Sequence, residues 1–367
     1  MMGKVIEIPY CSSKFVFNEE NFGAAYHWFD EPMIARQKRV NQLQRLTHPN
    51  GGNGQSGYFW FPFPQSRFDH AIKIPPIAKI ILSKAGFSQR YIQQFILTVL
   101  THDAPTPCGG DATMRLDKQR LCEVVNYKLF MTETGLSEKF SSYGYDVDEA
   151  ASLVAGQGAT GSLVKFLDWL SYTALDAFHL GKRKPREIQN LLKKYPFIAD
   201  VWRDIGIAKE RVFFLDANRL YNFLKLRALM HSEFYLNPDC RRLEHVFFSE
   251  TKKLFESEKI SLDDLRFKDD HWLDLVVRDG KDVSWCTQPE DVSWQRFETE
   301  QEADGFYAQK KSAFYKEHIK PFKTGMNLLV MHERKIKPLY DALSKKHVQE
   351  LEQISNKRAG WYVYYFK

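Results

Sequence analysis

The sequence predicts a mainly helical protein, and three stretches carry that expectation. Behind Arg67, the apolar residues Ile72, Ile74, Ile77, Ile80, Ile81 and Leu82 supply one side of a helical pattern, with Pro75-Pro76 breaking it near its start. A dense apolar run, Phe95-Ile96-Leu97-Thr98-Val99-Leu100, reads as a buried helix that ends at His102-Asp103. A third helical stretch runs from Leu163 to Asp176 and stops at Gly181, with Pro185 soon after, the pairing that ends helices. Strand patterns are short: residues 4 to 8, Arg211 to Leu215, and Trp361 to Phe366.

At 367 residues and 44% apolar composition, the chain can bury a sizeable core, as one large or two modest domains. The expected organisation is an N-terminal segment over 1–29, a helical core over 30–240, and a helical C-terminal extension with a terminal strand over 241–367. Pro32 sits near the start of an early helix. Residues 49–57 form a loop by composition, and the aromatic stretch Tyr58 to Pro64 packs over the neighbouring helices in preference to stacking on a ligand. Leu121 to Leu129 reads as a helix. Gly144 to Ala159 reads as a lid or insertion, left through the closely spaced Gly156, Gly158 and Gly161. Asp216 caps a helix that runs to Tyr235. Leu243 to Phe255, Tyr307 to Tyr315 and Lys335 to Ile354 read as helices, the last two with charged outer faces. Unpaired, the terminal aromatic strand would invite aggregation. It is therefore expected to pair with residues elsewhere in the chain, for example around Asn327–Met331, or with a second subunit, a dimer being favoured.

Net charge is +6, without blocks of like charge. That suits a phosphate-bearing ligand; a nuclease or a nucleic-acid-binding module stays open but unfavoured, since no aromatic-basic repeat or glycine-rich binding run is found. The five cysteines, Cys11, Cys108, Cys122, Cys240 and Cys286, contain no C-x-x-C pair. A disulfide scaffold or thiolate zinc site is not expected. The first residues lack the apolar core of a signal peptide and no apolar run approaches a membrane span, so the expectation is a cytoplasmic protein with no membrane partner.

Chemistry concentrates at Thr101-His102-Asp103-Ala104-Pro105. An imidazole and a carboxylate are ligands that divalent ions accept, but two alone also occur by chance. Asp168, Tyr172 and Asp176 stand at i, i+4 and i+8 and share one helix face. A solvated stripe is the plain alternative, yet Phe166, Trp169 and Leu170 flank Asp168, and a carboxylate in apolar company needs a cation or donors. Arg227, His231 and Tyr235 repeat at the same spacing on a later helix. A lone Arg there would usually be a surface charge.

His70 in Arg67-Phe68-Asp69-His70, then His102-Asp103, then Asp168, resembles the ordered H…HD…D set of the HD-domain phosphohydrolases. The flanks resemble the deoxynucleoside triphosphate triphosphohydrolase branch. Arg67-Phe68-Asp69-His70 is similar to its R-F-E-H motif, and Asp168 through Tyr172 and Asp176 to His179-Leu180-Gly181 is similar to its D-x-x-x-Y-x-x-x-D-x-x-H-L-G block. Gln42-Leu43, after Arg36 and Arg39, and the segment from Leu220-Tyr221 through Arg227, His231 and Tyr235 match two further blocks. The resemblance spans roughly residues 30 to 240. It implies an all-helical HD-domain core and a divalent metal ion (Mn, Mg, Fe, Co, Ni or Zn) held by His70, His102, Asp103 and Asp168. It also implies a deoxynucleotide substrate whose alpha phosphorus is attacked by a metal-activated water, giving deoxynucleoside and triphosphate. Arg67, Tyr172 and Arg227 would hold phosphates. Asp176, Tyr235, Gln42 and Leu43 would meet the sugar, with His231 beside them.

The chain departs from that pattern in two places. The family follows its His-Asp pair with further histidines that protonate the leaving oxygen; here Ala104 to Asp111 contains none, and the next helix offers Cys122-Glu123. Asp111 and Glu123 are the candidates for that proton, with Asp111, behind a Gly-Gly turn, slightly preferred. Trp169 stands where the branch's vertebrate member has a phosphate-binding lysine. A nucleoside monophosphate or another phosphoester is therefore the main rival substrate.

Overall fold

In the computed structural model, residues 5–41, 66–181, 184–208, 210–278 and 291–367 are described, with two short backbone strands, Thr47–His48 and Phe59–Trp60. Gln42, Leu43, Cys286 and most of the aromatic stretch before Gln65 lie outside the described residues. The architecture is mainly α. Arg67–Ala71 (α1) begins at a reciprocal cap, in which Ser66 Oγ accepts from the Asp69 amide while Asp69 accepts from the Ser66 amide. Ile74–Lys84 (α2) follows at once, and the paired prolines do not break it because they occupy its first turn, where no amide partner is needed. Gln89–Thr101 (α3) carries the dense apolar run, with Phe95, Ile96, Leu97, Val99 and Leu100 fully buried.

Past the His-Asp turn, the expected helix from Leu121 splits at Cys122, whose backbone is extended; Glu123 thereby opens a new helix, Glu123–Glu133 (α4). The stretch expected to form a lid instead contains Val147–Val154 (α5), which buries Ala150, Leu153 and Val154 in the main core. Gly158–His179 (α6) starts against it. A Cβ on Gly161 would lie 2.6 Å from the Gly156 carbonyl carbon, so this glycine permits the close approach. Ala217–Met230 (α7) is capped by Asp216, as the sequence predicts, but it does not stay α-helical to Tyr235. His231–Tyr235 widens into a π-helical turn, a device frequent where side chains must be re-aimed at a site. Pro238–Glu256 (α8) runs across residues 240 and 241, where the sequence suggests a division.

The β elements are small. Val5–Glu7 pairs antiparallel with Lys14–Val16. Arg211–Phe214 lies between Ile205–Ala208 and Leu329–His332, and Lys335–Pro338 completes that sheet. The terminal strand, Gly360–Phe366, pairs with residues elsewhere in the chain, as expected, but not with Asn327–Met331. It is the centre of a sheet between Val292–Phe297 and Ala313–Ile319, burying Tyr362, Val363 and Tyr364.

Two C-terminal helices expected from sequence are also corrected. Glu300–Gln309 is helical, but Ala313–Ile319 is a strand, because Tyr315 and Glu317 turn inward onto α8. Lys335–Pro338 is a hairpin strand, followed by a one-turn helix, Leu339–Ala342, and the longer helix starts at Lys345. The hairpin turn is made by Glu333 and Arg334, both at positive φ (52° and 64°), a turn for which glycine or asparagine would be the sequence signal. Among the described residues, no helix is long and apolar enough to cross a membrane.

Candidate active site and metal centre

Three helices deliver the site. His70 ends α1, His102 caps the C-terminus of α3, and Asp168 lies midway along α6. Ser171 Oγ donates to the His70 carbonyl at 2.9 Å, tying α1 to the helix that carries Asp168. His70 Nε2 lies 2.9 Å and His102 Nε2 3.6 Å from Asp168 Oδ1. One ligand atom from each of the three residues lies within 4.8 Å of the other two, a cluster that can hold a metal ion. Asp103 borders it, with its two oxygens 3.9 Å from His70 Nε2 and 3.7 Å from His102 Nε2, while Arg67 Nη1 draws it aside at 3.3 Å.

The donor chemistry fits a divalent ion. His102 Nδ1 stands 2.8 Å from the Val99 carbonyl, which can only accept, so Nδ1 carries a proton and Nε2 is the nitrogen that a bound ion would engage. His70 Nε2 and His102 Nε2 are buried and both face the Asp168 carboxylate. Burial alone would lower the His102 pKa, yet Asp103 and Asp168 outweigh it and push it up to about 9. For Asp168, burial is likewise overcome by the two imidazoles, which hold its carboxyl far below the usual range. The cluster thus demands positive charge, and a cation held by two imidazoles and a carboxylate meets that demand.

The cluster faces a cavity of about 490 Å³. Tyr172 and Asp176 continue along α6 into its wall, and His231 and Tyr235 reach it from the π-helical turn. Tyr235 donates to Asp176 Oδ2 at 2.5 Å, whereas Asp176 Oδ1 is buried with no partner. Burial pushes the Asp176 carboxyl up to about 7. His231 is driven down to about 3 by burial and by Arg227, so it is neutral.

Glu123 and Asp111 both line the cavity, in different states. Asp111 is exposed and bonded to Arg67 Nη2 at 3.2 Å. Glu123 Oε2 is buried without a partner, and burial, reinforced by the charges of Asp103 and Asp111, raises its carboxyl to about 7. The turn that gives Asp111 its reach also leaves it in solvent, whereas Glu123 is enclosed.

Arg227 packs on α6. Its guanidinium lies 4.0 Å from the centre of the Trp169 ring, and it donates to Tyr172 Oη and to the Lys323 carbonyl. Trp169 lines the cavity and Arg227 does not. Sequence reasoning missed Arg115, Lys165, Arg241 and Glu244, which complete the wall. The spacing of Arg241, Glu244 and His245 on one helix reads as an ordinary solvated stripe, and nothing local distinguishes it.

No protein-family model matches the chain, and no curated protein matches it by sequence. Solved structures do match. The crystal structure of a phosphohydrolase from Bacteroides thetaiotaomicron superposes with a TM-score of 0.70 at 14% identity, covering 99% of this chain and 100% of that one. A hypothetical protein from Aquifex aeolicus superposes with a TM-score of 0.69 at 17% identity, covering 93% and 91%. At these identities the likeness is one of fold: nearly from end to end, the chain shares the architecture of these two solved structures, and within it stands a His-His-Asp cluster able to hold a metal ion.

Proposed function

We propose that the chain is a metal-dependent HD-type phosphohydrolase that cleaves the 5′-phosphoester of a deoxynucleotide at the alpha phosphorus, releasing the deoxynucleoside. The observation that carries this reading is the convergence of His70, His102 and Asp168 in one cluster, with His102 and Asp168 lining a cavity that also holds a partnerless carboxylate oxygen of Asp176. When bound, a divalent ion supplies Lewis-acid binding of phosphate oxygen and acidifies the attacking water. The chain's own residues supply the rest. Arg67 stands beside the cluster as a phosphate donor, Asp103 orients it, and Tyr172 adds a hydroxyl to the same wall. Asp176 Oδ1 accepts the 3′-hydroxyl while Oδ2 keeps Tyr235. Resemblance to the triphosphohydrolases makes deoxynucleoside triphosphates the reference substrates for the test.

Glu123 serves as the proton donor in this scheme. A carboxyl raised to about 7 keeps its proton in about half of the molecules near neutral pH and can pass it to the departing 5′-oxygen. Glu123→Gln is expected to slow release of deoxynucleoside by at least about 100-fold and to remove one ionisation from the pH–rate profile. Asp111→Asn is expected to lose less than about tenfold. The opposite order of effects would return the role to Asp111, and failure to release any deoxynucleoside, judged by mass, would overturn the reaction itself. A 3′-deoxy analogue should bind more weakly by about 1–3 kcal/mol, the cost of leaving a buried acceptor unpaired. Equal affinity for analogue and parent would remove Asp176 and Tyr235 from sugar recognition.

A further inference from the structure

The charges around the cavity discriminate between phosphate chains of different length. Four cationic side chains line it, Arg67, Arg115, Lys165 and Arg241, against six carboxylates, Asp103, Asp111, Glu123, Asp168, Asp176 and Glu244. With Glu123 carrying its proton, as the donor role requires, five carboxylates face four cations, and a single divalent ion leaves a surplus of only one positive charge.

Most of those cations are already engaged. Arg67 is paired with Asp103 and Asp111. Arg115 is paired with Glu244, and Arg241 lies between Glu317 at 2.7 Å and Glu244 at 3.5 Å. Among the described lining residues, Lys165 is the cation with no carboxylate partner. Arg227, a further charge near the metal helices, stacks on the Trp169 indole, which lines the cavity while Arg227 itself does not. Its contacts to Tyr172 and Lys323 fix it there, and Phe322, stacked on His231 at 4.8 Å, packs beside it. A phosphomonoester carries about two negative charges near neutral pH, and a triphosphate roughly twice that. Accommodating the longer chain would require extra cations that this wall lacks, or the breaking of buried ion pairs, which is strongly unfavourable.

We infer that, on the phosphohydrolase reading above, the substrate is a deoxynucleoside 5′-monophosphate and the products are deoxynucleoside and orthophosphate. The oxygen of one water forms the new bond to phosphorus, and the bond from phosphorus to the sugar 5′-oxygen breaks. That oxygen leaves with the electron pair and takes a proton from the enzyme, which the attacking water's proton replaces. No further reactant is needed. Trp169 is the residue that sets chain length, by occupying the wall where Arg227 would otherwise reach the phosphates.

The test compares mono-, di- and triphosphates of each deoxynucleoside with the full chain and Mn²⁺, reading kcat/KM and identifying products by mass. The expected result is a kcat/KM for the best monophosphate at least about tenfold above its triphosphate, with orthophosphate released. An equal or higher value for the triphosphate overturns the inference and leaves the proposed phosphohydrolase standing. No product from any of them, while the protein retains Mn²⁺, overturns both. A second arm uses Trp169→Lys, which adds a cation to the wall and uncovers Arg227. The ratio of triphosphate to monophosphate turnover should rise at least about fivefold, and an unchanged ratio overturns the role given to Trp169.

Discussion

His102→Ala is expected to abolish hydrolysis of the best nucleotide substrate and to leave the helical fold in place. The loss should reach at least about 100-fold, since removing even an outer partner of a metal ligand costs about 10–100-fold. The fold survives because His102 caps α3 rather than filling it; the packing of that helix comes from Phe95, Ile96, Leu97, Val99 and Leu100. Turnover with saturating Mn²⁺ and far-ultraviolet circular dichroism check the two halves. Parental turnover in the variant would remove His102 from the reaction.

Glu317→Gln is expected to cost about 3–5 kcal/mol of stability, because it strands a buried guanidinium without its main counter-charge. Glu317 lies on the strand Ala313–Ile319 and points into α8, where it meets Arg241 Nη1 at 2.7 Å and His245 Nε2 at 2.9 Å. Tyr364 of the terminal strand donates to the same carboxylate at 2.9 Å. One carboxylate therefore ties the C-terminal sheet to the cavity wall. Urea denaturation measures the loss, and a change below about 1 kcal/mol, the range of exposed pairs, would show that the cluster behaves as solvated surface charge.

The same cluster gives the wild-type protein a pH dependence of known sign. Burial drives His245 down from 6.5 to about 4, so between those values the unfolded chain binds the proton that the folded one refuses. Stability is then full above pH 6.5 and falls as the pH drops toward 4. Stability that stays level across that interval would mean that His245 charges in place.

Much of the site was legible in the sequence because its signals are local and chemical. His70, His102, Asp103 and Asp168 stand out as ligand types set in apolar company, and the i, i+4, i+8 spacing of Asp168, Tyr172 and Asp176 already places them on one face. The helical class follows from the same periodicity. What stayed hidden depends on partners far along the chain. Arg241 and Glu244 look like a surface stripe until Glu317 arrives from a strand, and that strand looks helical until Tyr364 covers it. Trp169 and Arg227 are 4.0 Å apart as stacked groups, yet no spacing rule links residues on two different helices. Glu333 and Arg334 make their turn without the residues that advertise one.

The metal centre is tested most directly by a crystal of the protein grown with Mn²⁺ and measured for anomalous scattering. The expected result is a strong peak bounded by His70 Nε2, His102 Nε2 and an Asp168 oxygen, with Asp103 alongside, at ligand distances of about 2.0–2.3 Å. A map without that peak, or with manganese bound only elsewhere while both imidazoles remain unengaged, would contradict the account at its centre.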